Sequence, residues 1–280
     1  MSEYPAQHEI DSPEQAGSYM HPSEESEFDR DIFGKRPKGR ADWSHRRGEP
    51  RVFALFWMIY LMCATVIMFS SMSKAHAIGP EITRPAARTM LMIVMLGLCV
   101  LWPMVRLSQQ HPSGSFVRFL LRDALVLFLP LQAVLWPHVA PILAHWPIPV
   151  VGHLVLLCAA WVLLLSGMQA LALGSINRNG AGALPRVIWM LVTLLIVFAA
   201  PIYAIIAAPS VPVPIDQPRV GWLMSPITGV LEIVRDRAEL GMSTRVFPQQ
   251  TRMLIAIGCV GLALLLIARA LEVARARVRA

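Results

Sequence analysis

Residues 124–177 decide the fold, and they read ALVLFLPLQAVLWPHVAPILAHWPIPVVGHLVLLCAAWVLLLSGMQALALGSIN. The stretch contains no Asp, Glu, Lys or Arg. A transmembrane helix needs about 20 apolar residues, so this run is too long for one span and long enough for two. Proline removes a backbone donor and resists helix. We therefore predict two spans joined by a tight hairpin that contains Pro137, Pro141, Pro147 and Pro149.

Further charge-free runs flank this stretch on both sides. They cover residues 52–73, 89–105, 187–215 and 253–268. Charged residues make up only 15% of the chain, against about 25% in soluble domains. We predict an all-α, polytopic transmembrane helical bundle of about six spans. The predicted spans are 52–72, 88–106, 119–137, 150–173, 186–208 and 253–269, within a transmembrane domain over 52–270.

The two ends of the chain are polar. Residues 1–31 hold nine acidic residues and one Arg, so we predict a disordered acidic tail over 1–34, since such a segment buries too little apolar surface to fold. Residues 35–51 are basic and indicate a juxtamembrane anchor to lipid headgroups. A docking site for a partner, or for the acidic tail itself, is the alternative. Residues 271–280 form a second basic tail.

The distribution of Lys and Arg predicts the orientation, because these residues favour cytoplasmic loops. Basic residues precede the first span and follow the last, and Arg106 and Arg118 lie in the predicted loop after the second. The hairpin 138–149 contains neither Lys nor Arg. We therefore predict an integral protein of the cell (inner) membrane with both termini cytoplasmic. One loop fits this orientation poorly. Its basic residues on the predicted outer side are Lys74, Arg84 and Arg88.

The outer loop 209–252 has a pattern of its own. After a proline series, apolar residues recur at helical spacing between Gly221 and Gly241, which predicts one or two short amphipathic helices. Ser225 before Pro226 predicts a helix cap followed by proline at the first helical position. Such a helix lies in the membrane interface or dips into the bundle.

Residues with catalytic or metal-binding potential are few. His138, His145 and His153 fall on the predicted outer side among Trp136 and Trp146. They indicate an interfacial belt of amphipathic side chains; a metal or haem site is the alternative. We find no nucleotide-binding loop or nucleophile motif, and we predict no enzyme activity, cofactor or metal. The net charge of +7 is explained by membrane anchoring and does not indicate nucleic-acid binding.

One candidate site follows from charges near the second and third spans. Asp123 is the only carboxylate near a span interior, and ionisable residues at membrane depth are often functional. Arg118 and Arg122 are spaced to share a helix face. We predict a partner-coupling surface on the cytoplasmic side, formed by Gln109, His111, Arg118, Arg122 and Asp123. The alternative is an interfacial charge cluster that sets the depth of the span.

Two short motifs resemble those of a known family. The end of the fourth predicted span reads ALALGSINRNG over residues 170–180, and SPITGVL at 225–231 follows the fifth. Over about residues 150–270 the chain resembles the permease subunits of type-2 ATP-binding-cassette exporters. Their segment between the second and third spans is Glu-rich and contains Gly-Thr, whereas residues 107–118 here read LSQQHPSGSFVR and keep only Gly114-Ser115.

The resemblance implies a non-catalytic, permease-like subunit of an ATP-driven transporter. A separate cytoplasmic ATPase would bind it, and two bundles would work as a homo- or heterodimer in membrane lipid. The alternative is a membrane scaffold or assembly protein that recruits partners through its cytoplasmic tail.

Overall fold

A computed structural model of the protein describes residues 50–72, 79–109, 115–176, 183–206, 217–237 and 244–279. Within these ranges the chain forms helices and no β-strand, which confirms the all-α prediction. Six of the helices are long and apolar enough to cross a membrane, so the chain is an integral membrane protein. The helices are α1 (Pro50–Met72), α2 (Pro80–Ser108), α3 (Phe116–Leu135), α4 (Ile148–Ile176), α5 (Ala183–Ile206), α6 (Pro226–Ile233) and α7 (Pro248–Arg279).

Two helices extend well beyond the predicted spans. α2 begins at Pro80 instead of 88, with proline at its first position, and α7 continues to Arg279 instead of ending near 269. Hydropathy detects only the part of a helix that lies in hydrocarbon, whereas the helix continues until a residue breaks it. Charged residues that we assigned to loops, including Arg84 and Arg106, therefore lie within helices.

Several predictions fall on residues that the structure does not describe. The acidic tail, nearly all of the basic juxtamembrane segment, and His111 lie outside the described ranges. Their assignments stay predictions from the sequence.

Side-chain contacts define the two sides of the bundle. The Arg186 side chain donates to the Ser108 carbonyl at 3.3 Å, and Glu272 accepts from the backbone N–H of Phe116 at 2.7 Å. We call this the terminal side, since Pro50 and Arg279 also lie there. At the opposite end, Thr83 of α2 donates to the Leu143 carbonyl at 2.7 Å, and the segment 217–237 packs there. We call this the loop side.

Helices α2 and α4 lie at the centre, while α5 is peripheral. In their most apolar windows, 61% of α2 and 50% of α4 are buried, against 11% of α5. α4 packs closely on α7 at two glycines. A Cβ on Gly167 would lie 2.7 Å from the Gly261 carbonyl oxygen, a distance that forces the neighbour to move. Small residues of this kind let membrane helices approach closely.

A π turn interrupts α2 at Gly97–Leu101. The Trp102 N–H donates to the Gly97 carbonyl, five residues back. The next residue, Pro103, has no N–H and crowds the carbonyl one turn before it, so a wider turn fits there. A Cβ on Gly97 would meet the Tyr60 ring of α1. Glycine at this position therefore lets the widened turn lie against α1.

Helix α6 is packed into the bundle at the loop side. Ser225 accepts a hydrogen bond from the Ile227 N–H at 3.3 Å and Pro226 opens the helix, which confirms the predicted cap. A Cβ on Gly229 would lie 3.0 Å from Leu157 of α4. Most of α6 is buried, so of the two predicted positions it adopts the one within the bundle.

Candidate functional site

An ion pair joins α2 to α3 inside the span region, near the terminal side. Arg106 and Asp123 are 2% and 1% exposed. The Arg106 Nη2 donates to Asp123 Oδ1 at 2.8 Å, and the Arg106 Nε contacts Asp123 Oδ2. One charge-assisted hydrogen bond and one close ion contact thus join the guanidinium to the carboxylate. Arg106 Nη1 also donates to Gln109 Oε1 at 2.6 Å.

Two aromatic rings enclose the guanidinium of this pair. Its central carbon lies 4.1 Å from the ring centre of Phe53 on α1 and 4.9 Å from that of Phe119 on α3. Arg suits such a site because its planar, weakly hydrated cation stacks on ring faces. Residues of three helices thus hold one buried cation.

A groove of about 510 Å³ lies between α1 and α2 and adjoins the ion pair. Its walls are mainly apolar and aromatic. Gln109 lines it at one end and Gly97 of the π turn lies twelve positions earlier along α2. Phe53 and Gln109 line the groove and also contact Arg106. The groove and the ion pair therefore form one continuous site.

Two aromatic side chains of α1 present apolar surfaces to this groove because their polar atoms bond elsewhere. The Tyr60 hydroxyl donates to the Ile93 carbonyl at 2.5 Å, and the Trp57 Nε1 donates to the Leu127 carbonyl at 2.9 Å. The two rings stack with their centres 5.5 Å apart. These bonds fix α1 against α2 and α3 and keep the groove wall in place.

A second ion cluster lies at the loop side. Arg84 and Arg88 of α2 donate to the two carboxylate oxygens of Asp236, at 2.8 and 2.5 Å. Arg84 Nε also donates to the Ala144 carbonyl at 2.9 Å. The cluster fastens the segment 217–237 and the α3–α4 hairpin to α2. The carboxylate also balances the arginines that fitted poorly with the predicted orientation.

Buried Glu232 organises the rest of the loop side. Its Oε1 accepts from Arg237 Nη2 at 3.2 Å and from the Arg219 N–H at 3.0 Å. Gln250 of α7 donates to the same oxygen at 3.4 Å. These contacts hold α6 to its flanking segments and to α7, which is a structural role.

The three histidines lie in separate surroundings. His138 is buried with its ring 5.4 Å from that of Trp146. His145 has a positive φ of 50°, and His153 hydrogen-bonds Thr251 at 2.7 Å. In the described ranges no group of three His, Cys, Asp or Glu side chains is placed to hold a metal ion.

The predicted partner-coupling surface divides into two parts. Arg118 and Arg122 are exposed on the first turns of α3 at the terminal side. Asp123 faces the opposite way and is enclosed with Arg106, while Gln109 is half-buried and bound to the same arginine. Of the predicted residues that the structure describes, only the two arginines are exposed and accessible to a partner.

Sequence reasoning missed Arg106, because we placed it in a loop. A detectable signal existed. Residues 106 and 123 flank the short connection between two predicted antiparallel spans, so a helical hairpin brings them to similar depth. No sequence pattern indicated that Phe53 contacts Arg106, since α1 reaches the ion pair only through tertiary packing.

Comparison with family models, with characterised proteins and with solved structures found no match to this chain. The resemblance to type-2 exporter permeases therefore stays a prediction from the sequence.

Proposed function

We propose that the chain is a permease-like membrane subunit of an ATP-driven transporter, with the α1–α2 groove as part of its substrate path. The observation that carries this proposal is the groove of about 510 Å³, whose lining residues Phe53 and Gln109 contact Arg106 of the buried Arg106–Asp123 pair. Ligand sites are mostly apolar concavities of about 300–1,000 Å³ with a few fixed polar groups. Charged groups within spans are costly and commonly mark transport pathways.

The scaffold alternative has less support from this site. A scaffold needs spans that anchor it, and neither a groove at membrane depth nor a desolvated ion pair serves that purpose. The π turn at Gly97–Leu101 also favours a functional groove, because such turns are frequent at functional sites.

The exposed arginines suit a contact with the ATPase. Arg118 and Arg122 lie five residues and one residue before Asp123 on the same helix. A partner that moved the start of α3 would shift the carboxylate that binds Arg106 and thereby the polar end of the groove. Glu272 of α7 binds the first N–H groups of α3, so α7 would move with it.

The proposed transporter subunit lies in the cell membrane and works as one of a pair. Both termini would lie in the cytoplasm of a bacterial-type cell, in accordance with the distribution of Lys and Arg. Two bundles, identical or related, would work as a pair around the ATPase subunits.

Co-purification tests this function. The full chain, tagged and extracted from the membranes of its own cells, should bring down an ATPase. Arg118→Glu with Arg122→Glu should reduce the recovered ATPase by about tenfold, because both contacts become repulsive. Arg252→Glu, an exposed arginine at the loop side, is the matched control and should leave recovery unchanged.

Two results would contradict the proposal. If the wild-type chain captures no ATPase, the transporter function fails and the scaffold alternative gains. If the double variant and the Arg252→Glu control behave alike, the arginines are not the contact.

A further inference from the structure

The mouth of the α1–α2 groove opens on the lipid-facing surface. Val52 and Phe56 of α1 and Leu101 and Val105 of α2 line the groove, and each is between 40% and 66% exposed. Exposed apolar side chains at these positions face hydrocarbon in a membrane protein. An occupant would therefore enter sideways from the bilayer.

The groove is long and follows α2. Gly97 and Gln109 both line it and are twelve residues apart, which is about 18 Å at the α-helical rise. Its walls are the rings of Phe53, Trp57, Tyr60 and Trp102 together with aliphatic side chains. An elongated apolar chain fits this shape, whereas a hydrated solute would lose its water to a wall that offers few polar partners.

The two ends of the groove differ in polarity. At the Gly97 end the Tyr60 hydroxyl is already bound to the Ile93 carbonyl. At the terminal side the Gln109 carbonyl oxygen accepts from Arg106, which directs its amide NH₂ group elsewhere as a donor. Gln109 is half-buried, so an oxygen acceptor on an occupant can reach it.

We propose that the groove binds the acyl chain of an amphiphile, with the methyl end towards Gly97 and an oxygen-bearing headgroup at Gln109. This inference gives the substrate class of the proposed transporter, and in that respect it rests on the proposed function. The proposed occupant is a transported single-chain amphiphile, because the groove is a single track along α2 between Gly97 and Gln109. A resident membrane phospholipid shares the acyl-chain chemistry and is the alternative that the test separates.

Photo-crosslinking tests the site directly. The full chain in nanodiscs is irradiated with a palmitic acid analogue that carries a diazirine at mid-chain, and adducts are mapped by mass spectrometry. Adducts should concentrate on residues 52–60 and 97–109, about tenfold above those on α5. Helix α5 is the stringent reference, because it is the least buried span.

A blocked groove should lose the adducts. Leu101→Trp places a large ring at an exposed groove residue, and labelling of α1 should fall by about fivefold or more. Leu195→Trp makes the same change on α5, where the residue is 64% exposed, and should leave labelling unchanged. Excess unlabelled palmitate should compete for the labelling, whereas competition by phosphatidylglycerol alone would identify a resident phospholipid and overturn the substrate class.

If labelling instead follows the exposed area of each helix, it will be heaviest on α5. That result would overturn the inference. So would equal labelling of the Leu101→Trp and Leu195→Trp variants. Neither result touches co-purification of an ATPase, so the acyl-chain site and the transporter function fail separately.

Discussion

The Arg106–Asp123 pair at the terminal side and the Asp236 cluster at the loop side use the same chemistry in different surroundings. At the terminal side, Arg106 and Asp123 are each 1% exposed in their side chains. At the loop side, Asp236 is 31% exposed and binds two arginines that are 16% and 24% exposed. Water screens a pair that it can reach, so exposed pairs contribute about 0–1 kcal/mol. In a desolvated pair, by contrast, each charge is stabilised mainly by its partner, because water does not reach it.

The comparison indicates different roles. The loop-side cluster fastens several segments with charges that water also stabilises, so it tolerates the loss of one contact. Water does not stabilise the charges of the Arg106–Asp123 pair in this way, and the pair lies beside a groove. Sites whose charges are held in place without water are suited to respond to a ligand or to a movement of one helix.

The largest expected effect is at the terminal side. Asp123→Asn keeps the size of the side chain and removes its charge, which leaves the Arg106 cation buried without a counter-ion. We expect a loss of about 3–5 kcal/mol in the free energy of unfolding. Unfolding in mixed micelles with increasing dodecyl sulfate measures it. A loss below about 1 kcal/mol would show that the pair is hydrated and would remove the contrast between the two sides.

An intermediate effect is expected at buried Glu232. Glu232→Gln removes the charge that binds Arg237 but keeps an oxygen for the Arg219 N–H and for Gln250. We expect a loss of about 1.5–3 kcal/mol, the range for hydrogen bonds to a charged group. The same unfolding assay measures it. A loss as large as that of Asp123→Asn would mean that burial alone sets the cost, whatever the number of other hydrogen-bond partners.

The smallest effect is expected at Asp236. Asp236→Asn is the same substitution as at residue 123 but in the partly exposed cluster, and it should cost about 1 kcal/mol or less. The difference from wild type should shrink further as salt is raised from 0.05 to about 1 M, because screening acts on exposed charges. Unfolding at the two salt concentrations tests this. A cost that is large and independent of salt would place Asp236 in a dry site.

The sequence predicted the spans well because hydrocarbon excludes charge. The run 124–177 specified two helices and a proline hairpin from composition alone. It did not predict the ends of the helices. Arg84 belongs to α2, and its partner Asp236 lies about 150 positions away in the chain.

The candidate site was predicted only in part. Arg118 and Arg122 are exposed on α3, as expected for a helix end at the membrane surface. Asp123 was singled out for its depth, but its partner was not found, since a charged residue at the end of an apolar run was assigned to a loop. The groove depends on how Tyr60 packs against the π turn at Gly97, and no local pattern encodes that contact.

A double-mutant cycle tests the central claim most directly. It compares Arg106→Met, Asp123→Leu and the double variant with wild type, and it treats Arg84→Met and Asp236→Leu in the same way. We expect a coupling energy of about 3 kcal/mol or more for the buried pair and below about 1 kcal/mol for the exposed pair. Equal coupling energies in the two cycles would contradict the account, because burial of the Arg106–Asp123 pair would then make no difference.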